Sequence, residues 1–206
     1  MSSAAPRTPT LLILDGSFGE GCVALLHLDG AAAGHFESAP ELRPHQPLVA
    51  RAAELLPDAA ARSELVAVLV GVGPGSYTGL RAAASLAAGV AAALSIPVIQ
   101  VPSDRALLLA RDASGQSASV VLSLGTREVL VVDAAGSRIA ERSDAPTGAD
   151  LERIAPHLPA ALASAAADAI AALRAHGWRT EPFVEVSEIA IRYPAPPRGA
   201  ERGVAR

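Results

Sequence analysis

The sequence predicts an α/β protein whose elements run β-β-β-α-β-α-β through its first half. Three observations carry that prediction. A nearly continuous apolar run, Thr10-Leu11-Leu12-Ile13-Leu14, closes on Asp15. A glycine-rich turn, Gly71-Val72-Gly73-Pro74-Gly75-Ser76-Tyr77-Thr78-Gly79-Leu80-Arg81, stands between an apolar strand and an alanine-rich helix. A fainter series of strands and helices after residue 114 echoes the opening of the first. Half of the 206 residues are apolar, ample for a real core.

In order, the run ending at Asp15 is a strand, and Gly16-Ser17-Phe18-Gly19-Glu20-Gly21 turns it into Cys22-Val23-Ala24-Leu25-Leu26-His27-Leu28, a β-hairpin. Asp29-Gly30 turns again into a weaker segment at residues 33–38, so the opening is three antiparallel strands. Pro44 and Pro47 flank the start of a helix whose Leu48, Ala52, Leu55 and Leu56 follow the helical period, and Pro57 ends it. Residues 66–72 make a buried strand, the helix after the glycine turn runs to Leu94, and residues 97–101 make a fifth strand. Residues 103–112 are helical, 119–124 and 128–133 are strands, and a third strand lies near 137–142, with Ala134-Ala135-Gly136 repeating the hairpin signal. Helices follow near 150–157 and 162–175. Residues 1–9 read as a flexible N-terminus, 10–114 as a first lobe, 115–193 as a second, with the hinge at 115–117, and 194–206 as a disordered proline-bearing tail.

Composition excludes several classes. The formal charge is −4, lysine is absent, and the arginines near the end (Arg198, Arg202, Arg206) are scattered. With aromatics at 3%, the chain lacks the basic stripe and stacking platforms of a protein that grips RNA by itself. The apolar stretch 82–94, interrupted by Ser85 and Gly89, reads as a packed helix rather than a membrane span. Residues 1–9 carry no leader-like apolar stretch, so the cytoplasm is the expected location. The single cysteine, Cys22, sits in an apolar alternating segment and reads as a core thiol.

The glycine turn admits two readings. Gly73 and Gly75 can take positive φ without a side-chain penalty, Pro74 sets the turn, and Ser76 or Thr78 can cap the helix, so free N–H groups and the positive helix end suit a phosphate or carboxylate. The same features make a tight, empty strand-to-helix connection. Asp15 either holds a magnesium-bound water near a nucleotide or caps the turn leaving its strand. The nucleotide candidates are Asp15, Ser17, Gly73, Gly75, Ser76 and Thr78. Tyr77 either rims the turn or packs beneath it, and His45, at a helix start with no carboxylate evident nearby, suits capping or solvent better than acid–base work. No two of the five histidines are four apart, and the turn lacks the lysine of a P-loop. The alanine helix has two stripes, Leu80/Ala84/Ala87/Ala91/Leu94 and Ser85/Ala88/Gly89/Ala92. One covers the sheet; the other, with the Leu48/Ala52/Leu55/Leu56 side of the preceding helix, either meets a partner in a helical bundle or is consumed by the chain's own core.

Two halves of this order resemble the paired RNase-H-like lobes of the actin/hexokinase/Hsp70 (ASKHA) superfold, the second lobe here degenerate; that superfold holds a nucleotide between its lobes. More specifically, Gly73-Pro74-Gly75-Ser76-Tyr77-Thr78-Gly79-Leu80-Arg81 before a small-residue helix resembles the signature of the TsaB (YeaZ) family. His45 ahead of Leu55-Leu56-Pro57, the segment Thr126-Arg127-Glu128-Val129-Leu130-Val131, and Arg192-Tyr193, similar to a permuted Tyr-Leu-Arg element, add to it. The resemblance spans residues 11–142; Gly16-Ser17 stand where that family more often carries threonine.

The resemblance implies a non-catalytic scaffold and dimerisation subunit of the bacterial machinery that places threonylcarbamoyl on the adenosine beside the anticodon of tRNA. Its partners would be a TsaD-type catalytic subunit and a TsaE-type ATPase, with tRNA reached only through the complex and a homodimer possible when alone. It implies no catalytic residue, no metal, and no firmly bound cofactor, ATP or ADP with magnesium being confined to a partner interface. The partner interface would draw on His45, Leu48, Ala52, Leu55, Leu80, Ala84, Ala87, Ala88 and Ala91. TsaD-type relatives hold a metal through two histidines four apart, and Val101-Pro102-Ser103-Asp104-Arg105, the corresponding region, has none. The alternative is a small ATP-dependent kinase or ATPase of the same superfold working through Asp15 and the glycine turn; a peptidase has no ligands to rest on.

Overall fold

Strand β1 (Thr10–Asp15) is flanked by a neighbour on either side and covered on both faces, which is why its sequence is a continuous apolar run rather than an alternating one. The computed structural model describes residues 8–19, 21–28, 35–38, 47–178 and 188–194. With β2 (Cys22–His27), β3 (His35–Ser38), β4 (Leu65–Gly71) and β5 (Val98–Val101), β1 forms a five-stranded sheet ordered β3-β2-β1-β4-β5. The β1–β2 and β2–β3 pairs are antiparallel, and β1–β4 and β4–β5 are parallel. Period-two alternation splits β1 between two cores: Leu12 and Leu14 face one, Leu11 and Ile13 the other. Leu12 lies opposite Leu25 and Val68 in register, and all three share a core.

Helices α1 (Leu48–Leu55) and α3 (Tyr77–Leu94) cover the Leu12 face. Between them, the short α2 (Ala59–Ser63) was not expected from the sequence. Asp58 caps it, its Oδ1 accepting from Ala61 N at 2.8 Å. On the Leu11 face lie α4 (Ser103–Ala113) and, later in the chain, α6 (Leu158–Ala165). A second sheet, β6 (Val120–Ser123), β7 (Glu128–Asp133) and β8 (Gly136–Glu141), is antiparallel in that order. Among the described residues it has no parallel strand, so the second half is the degenerate one. Its Leu122, Leu130 and Val132 enter the same core as Leu11 and Ile13.

The helical stretch expected at 162–175 is corrected. The chain makes α5 (Leu151–Ile154), a 3-10 turn (Ala155–His157), then α6 and α7 (Ala167–Ala175), with a 53° bend where α6 gives way to α7. Proline is tolerated in a first turn, so Pro159 opens α6 rather than excluding its first residues, and Ala166, at φ −101° and ψ 6°, leaves helical geometry. Gly115, at φ +75°, closes α4 in the left-handed region. Among the described residues α3 alone has the length and apolar composition of a membrane span, but its Leu80, Ala83, Ala84, Ala87 and Ala91 are buried against the sheet. The expected flexible N-terminus over residues 1–7, the expected disordered tail beyond Pro194, and His45 lie outside the described residues.

Ser95 ends α3 in the left-handed conformation, at φ 54° and ψ 46°, and is exposed. A side chain there is strained, so Ser95→Gly should raise the unfolding free energy by about 0.5–1 kcal/mol in urea titrations.

Candidate functional site

β1 delivers Asp15 to the edge of the glycine turn, where β4 ends beside it. Its side chain is fully buried. Oδ1 accepts from Ser17 N at 2.6 Å, and Oδ2 accepts from the Ser103 hydroxyl at 2.7 Å. Ser103 Oγ accepts from Gly73 N at 2.9 Å, and Ser103 N donates to Gly73 O at 2.9 Å. The start of α4, the glycine turn and the end of β1 are thereby joined in one hydrogen-bonded cluster. Gly71 makes room for it: a Cβ there would lie 1.8 Å from Asp15 Oδ2. Burial pushes the Asp15 carboxyl above its ordinary range, against the lowering effect of the hydrogen bonds from Ser17 and Ser103.

The glycine turn is folded onto the loop that leaves β1. Ser76 N donates to Ser17 O at 2.7 Å, and a Cβ on Gly75 would lie 2.2 Å from that same oxygen. Gly16 and Gly79 meet backbone to backbone, since a Cβ on either would sit 2.1 Å from the other's carbonyl oxygen. Ser76, not Thr78, caps α3, its Oγ accepting from Gly79 N at 3.3 Å. The structure thus brings Asp15, Ser17, Gly73, Gly75 and Ser76 together, with Thr78 exposed on the first turn of α3. The N–H groups of Gly73 and Ser76, two of the donors an anion would use, are engaged within the chain.

Residues 188–194 run over the outer side of this turn. The Gln100 amide brackets them, Nε2 donating to Glu188 O at 3.3 Å and Oε1 accepting from Ala190 N at 2.9 Å. Arg192 N donates to Val72 O at 2.7 Å, and Ile189 is buried with α1 and α3. The Arg192 guanidinium reaches Asp104 at 3.2 and 3.3 Å, and Asp104 also accepts from Ser137 Oγ at 3.1 Å. Tyr193 packs on Tyr77 with centroids 4.9 Å apart, and Arg81 Nη1 donates to the Tyr77 hydroxyl at 2.7 Å. Tyr77 is therefore a rim residue, 43% exposed. A cleft of about 170 Å³ remains between the turn, the second sheet and this segment.

Sequence reasoning missed Gly71, Ser103 and Asp104. Ser103 carried one signal, a hydroxyl at a helix start directly after Pro102; Gly71 stood at the junction of strand and glycine turn with no role assigned to its missing side chain.

The interface candidates need correction. Ala52, Leu55, Leu80, Ala84, Ala87, Ala88 and Ala91 are buried, and Leu48 packs at the edge of the same core. The sheet takes the most apolar stripe of each helix, because that burial drives the helices onto it. The face left outward holds Val49, 59% exposed, and Ala53 on α1, with Ala82, Ser85, Gly89 and Ala93 on α3. Gly89 has open space around it.

Cys22 is buried, and desolvation, with the Asp15 charge adding and Arg51 opposing, pushes its thiol up to about 12, an unreactive state at neutral pH. Among the described residues no three His, Cys, Asp or Glu side chains gather as metal ligands.

The chain matches, over residues 42–188, the family described as TsaD: tRNA N6-adenosine threonylcarbamoyltransferase. Among solved structures it is similar to an uncharacterized protein with similarity to peptidase YEAZ from Pseudomonas aeruginosa, at 25% identity and TM-score 0.54, over 91% of this chain and 100% of that one. It is similar also to YeaZ from Pseudomonas aeruginosa, at 25% identity and TM-score 0.52, over 90% of this chain and 99% of that one. No curated protein matches by sequence.

Ser103→Ala should lower the unfolding free energy by about 2–4 kcal/mol, because it strands both a buried carboxylate oxygen and the Gly73 N–H; calorimetric unfolding measures it. The Asp15 cluster also sets a pH dependence. A carboxyl whose folded-state pKa is raised from 3.8 contributes fully below that value and loses its contribution as pH rises through the raised one. The stability of the wild type relative to Asp15→Asn should therefore decline with pH from 3.8 upward in urea titrations. A difference that stays flat or grows with pH contradicts the assignment.

Proposed function

Because the chain belongs to the tRNA N6-adenosine threonylcarbamoyltransferase (TsaD) family and is a TsaB/YeaZ-like tRNA-modification protein within it, we propose that it is a non-catalytic scaffold, pairing with a TsaD-type catalytic subunit through the outward face of α1 and α3. The carrying observation is that face. Ala82, Ser85, Gly89 and Ala93 leave the α3 backbone close to the surface, and α1 exposes Val49, so a partner helix can approach with few side chains in the way. A TsaE-type ATPase joins the pair, and the assembly works on tRNA in the cytoplasm.

The inward-turned cluster supports the non-catalytic part of the reading. Asp15 is buried with both oxygens hydrogen-bonded, and the turn's donors at Gly73 and Ser76 bond the chain itself. These residues do not fit a nucleotide held in this chain's own turn. ATP or ADP with magnesium belongs instead at a partner interface, and no cofactor is held firmly by this subunit alone. The kinase or ATPase alternative needs Asp15 open to a metal-bound water, whereas both of its oxygens are engaged within the chain. Calorimetry of the isolated chain with ATP and magnesium separates the two, since a kinase should bind at micromolar to millimolar levels unaided.

Gly89→Leu places bulk on the outward face where nothing in the chain is displaced, so the variant should fold with equal or slightly higher stability. Its affinity for the TsaD-type subunit should fall at least about tenfold in titration calorimetry, the cost of blocked close packing. Ala87→Glu, in contrast, buries a charge in the core and should fail to fold. Pairing of Gly89→Leu at wild-type affinity, or threonylcarbamoyladenosine levels in bulk tRNA that stay unchanged on depletion of the chain, would sink the reading.

A further inference from the structure

Both tyrosines of the chain, which has only six aromatic residues outside histidine (three Phe, two Tyr, one Trp), meet at one surface point. Tyr77 comes from the start of α3 and Tyr193 from residues 188–194, their rings 4.9 Å apart and inclined at 33°. The Arg81 guanidinium lies 5.4 Å from the Tyr77 ring centroid and bonds its hydroxyl at 2.7 Å. Arg192 immediately precedes Tyr193 in the chain, and Arg138 lines the same cleft as both. Arg192 is paired with Asp104 and Arg138 with Asp133, whereas Arg81 is held by the tyrosine. Three guanidinium groups against two carboxylates make the patch locally positive on a chain of net charge −4.

Burial does not explain the arrangement, because Tyr77 stays 43% exposed and its hydroxyl is already satisfied. An aromatic ring held at a fixed tilt with guanidinium groups beside it offers a face for an unpaired base and donors for phosphate oxygens. Tyrosine and arginine also anchor protein interfaces, but beyond Arg81 the outward α3 stripe suited to a helix, Ala82, Ser85, Gly89 and Ala93, is built of small uncharged residues. The excess of positive charge at the patch favours a polyanion.

We propose that Tyr77, Arg81 and Tyr193, with Arg138 and Arg192 alongside, form a direct contact for tRNA within the assembled complex. The proposal rests on the subunit reading above. The patch is too small to hold RNA by itself, in keeping with the chain's acidic balance; its contribution adds to contacts supplied by the partner.

The test uses the complex of this chain with the TsaD-type subunit and an unmodified tRNA transcript, titrated at several salt concentrations. Arg81→Ala should weaken tRNA binding about tenfold and make the salt slope shallower by about one, with subunit pairing unchanged. Arg81→Lys should recover the salt slope. Unaltered tRNA affinity in Arg81→Ala, or a loss of subunit pairing by the same factor, overturns the proposal, the latter identifying a protein contact instead. If the wild-type chain does not pair at all, the subunit reading fails and this proposal with it; pairing that persists while tRNA affinity is unmoved removes the RNA contact alone.

Discussion

The buried hydrogen bond between the Ser103 hydroxyl and the Asp15 carboxylate is the constraint on which the arrangement of this molecule depends. β1 is apolar along its length and enclosed on both faces, so it carries its terminal carboxylate into the fully buried interior. Such a group is tolerable only where donors converge on it. Ser17 N, from the residue pair that follows, and Ser103 Oγ, from the start of α4, supply them. Because Ser103 also exchanges two hydrogen bonds with Gly73, satisfying the carboxylate sets the path of the glycine turn. Gly71 has to be glycine for the carboxylate to lie where it does.

Consequences spread from there along α3. The turn is pressed against the loop after β1 at Gly75 and again at Gly79, so the first turn of α3 is anchored through backbone contacts on the sheet side. Arg192 and Tyr193 close over the outer side, pairing with Val72 and Tyr77. A helix held at its N-terminus from both sides presents its remaining faces in a defined orientation. Docking on such an element requires little ordering at the moment of association, which is where flexible surfaces lose affinity. The same closure turns the polar groups of the turn inward, where the Gly73 and Ser76 N–H groups bond the chain itself.

Much of this was legible in the residues. The apolar run into Asp15, the proline stop after Leu56 and the glycine signature each announced an element by local physics, and those elements appear where the pattern put them. Local patterns failed where the decisive partner was remote in sequence. Nothing near Ser103 says that its hydroxyl meets a carboxylate at the end of β1, and nothing near Tyr193 says that it meets Tyr77. The stripes of α3 were visible, but assigning them to sheet or solvent required knowing the sheet's position. Ala88, grouped with Ser85 and Gly89 by spacing, belongs to the buried side, and the outward stripe runs through Ala82 and Ala93 instead. The bend after α6 was hidden for a different reason: alanine has high helix propensity throughout residues 160–175, and the departure at Ala166 answers to packing of Leu162 and Leu173 into one core.

The composition of α3 gives the last step. Its buried side is alanine at Ala83, Ala84, Ala87 and Ala91, so the helix axis lies close to the sheet and little area per residue is available to hold it there. A helix meant only to cover the sheet would gain from larger side chains inward and from charged ones outward. Here the inner side is alanine and the outer side, beyond Arg81 in its first turns, is also small, and Val49 of the neighbouring α1 is left in water. Slimness on both sides suits a helix with a close layer on each side, where short separations yield dense dispersion contacts from modest side chains. Such a design leaves apolar area exposed at the surface, Val49 foremost.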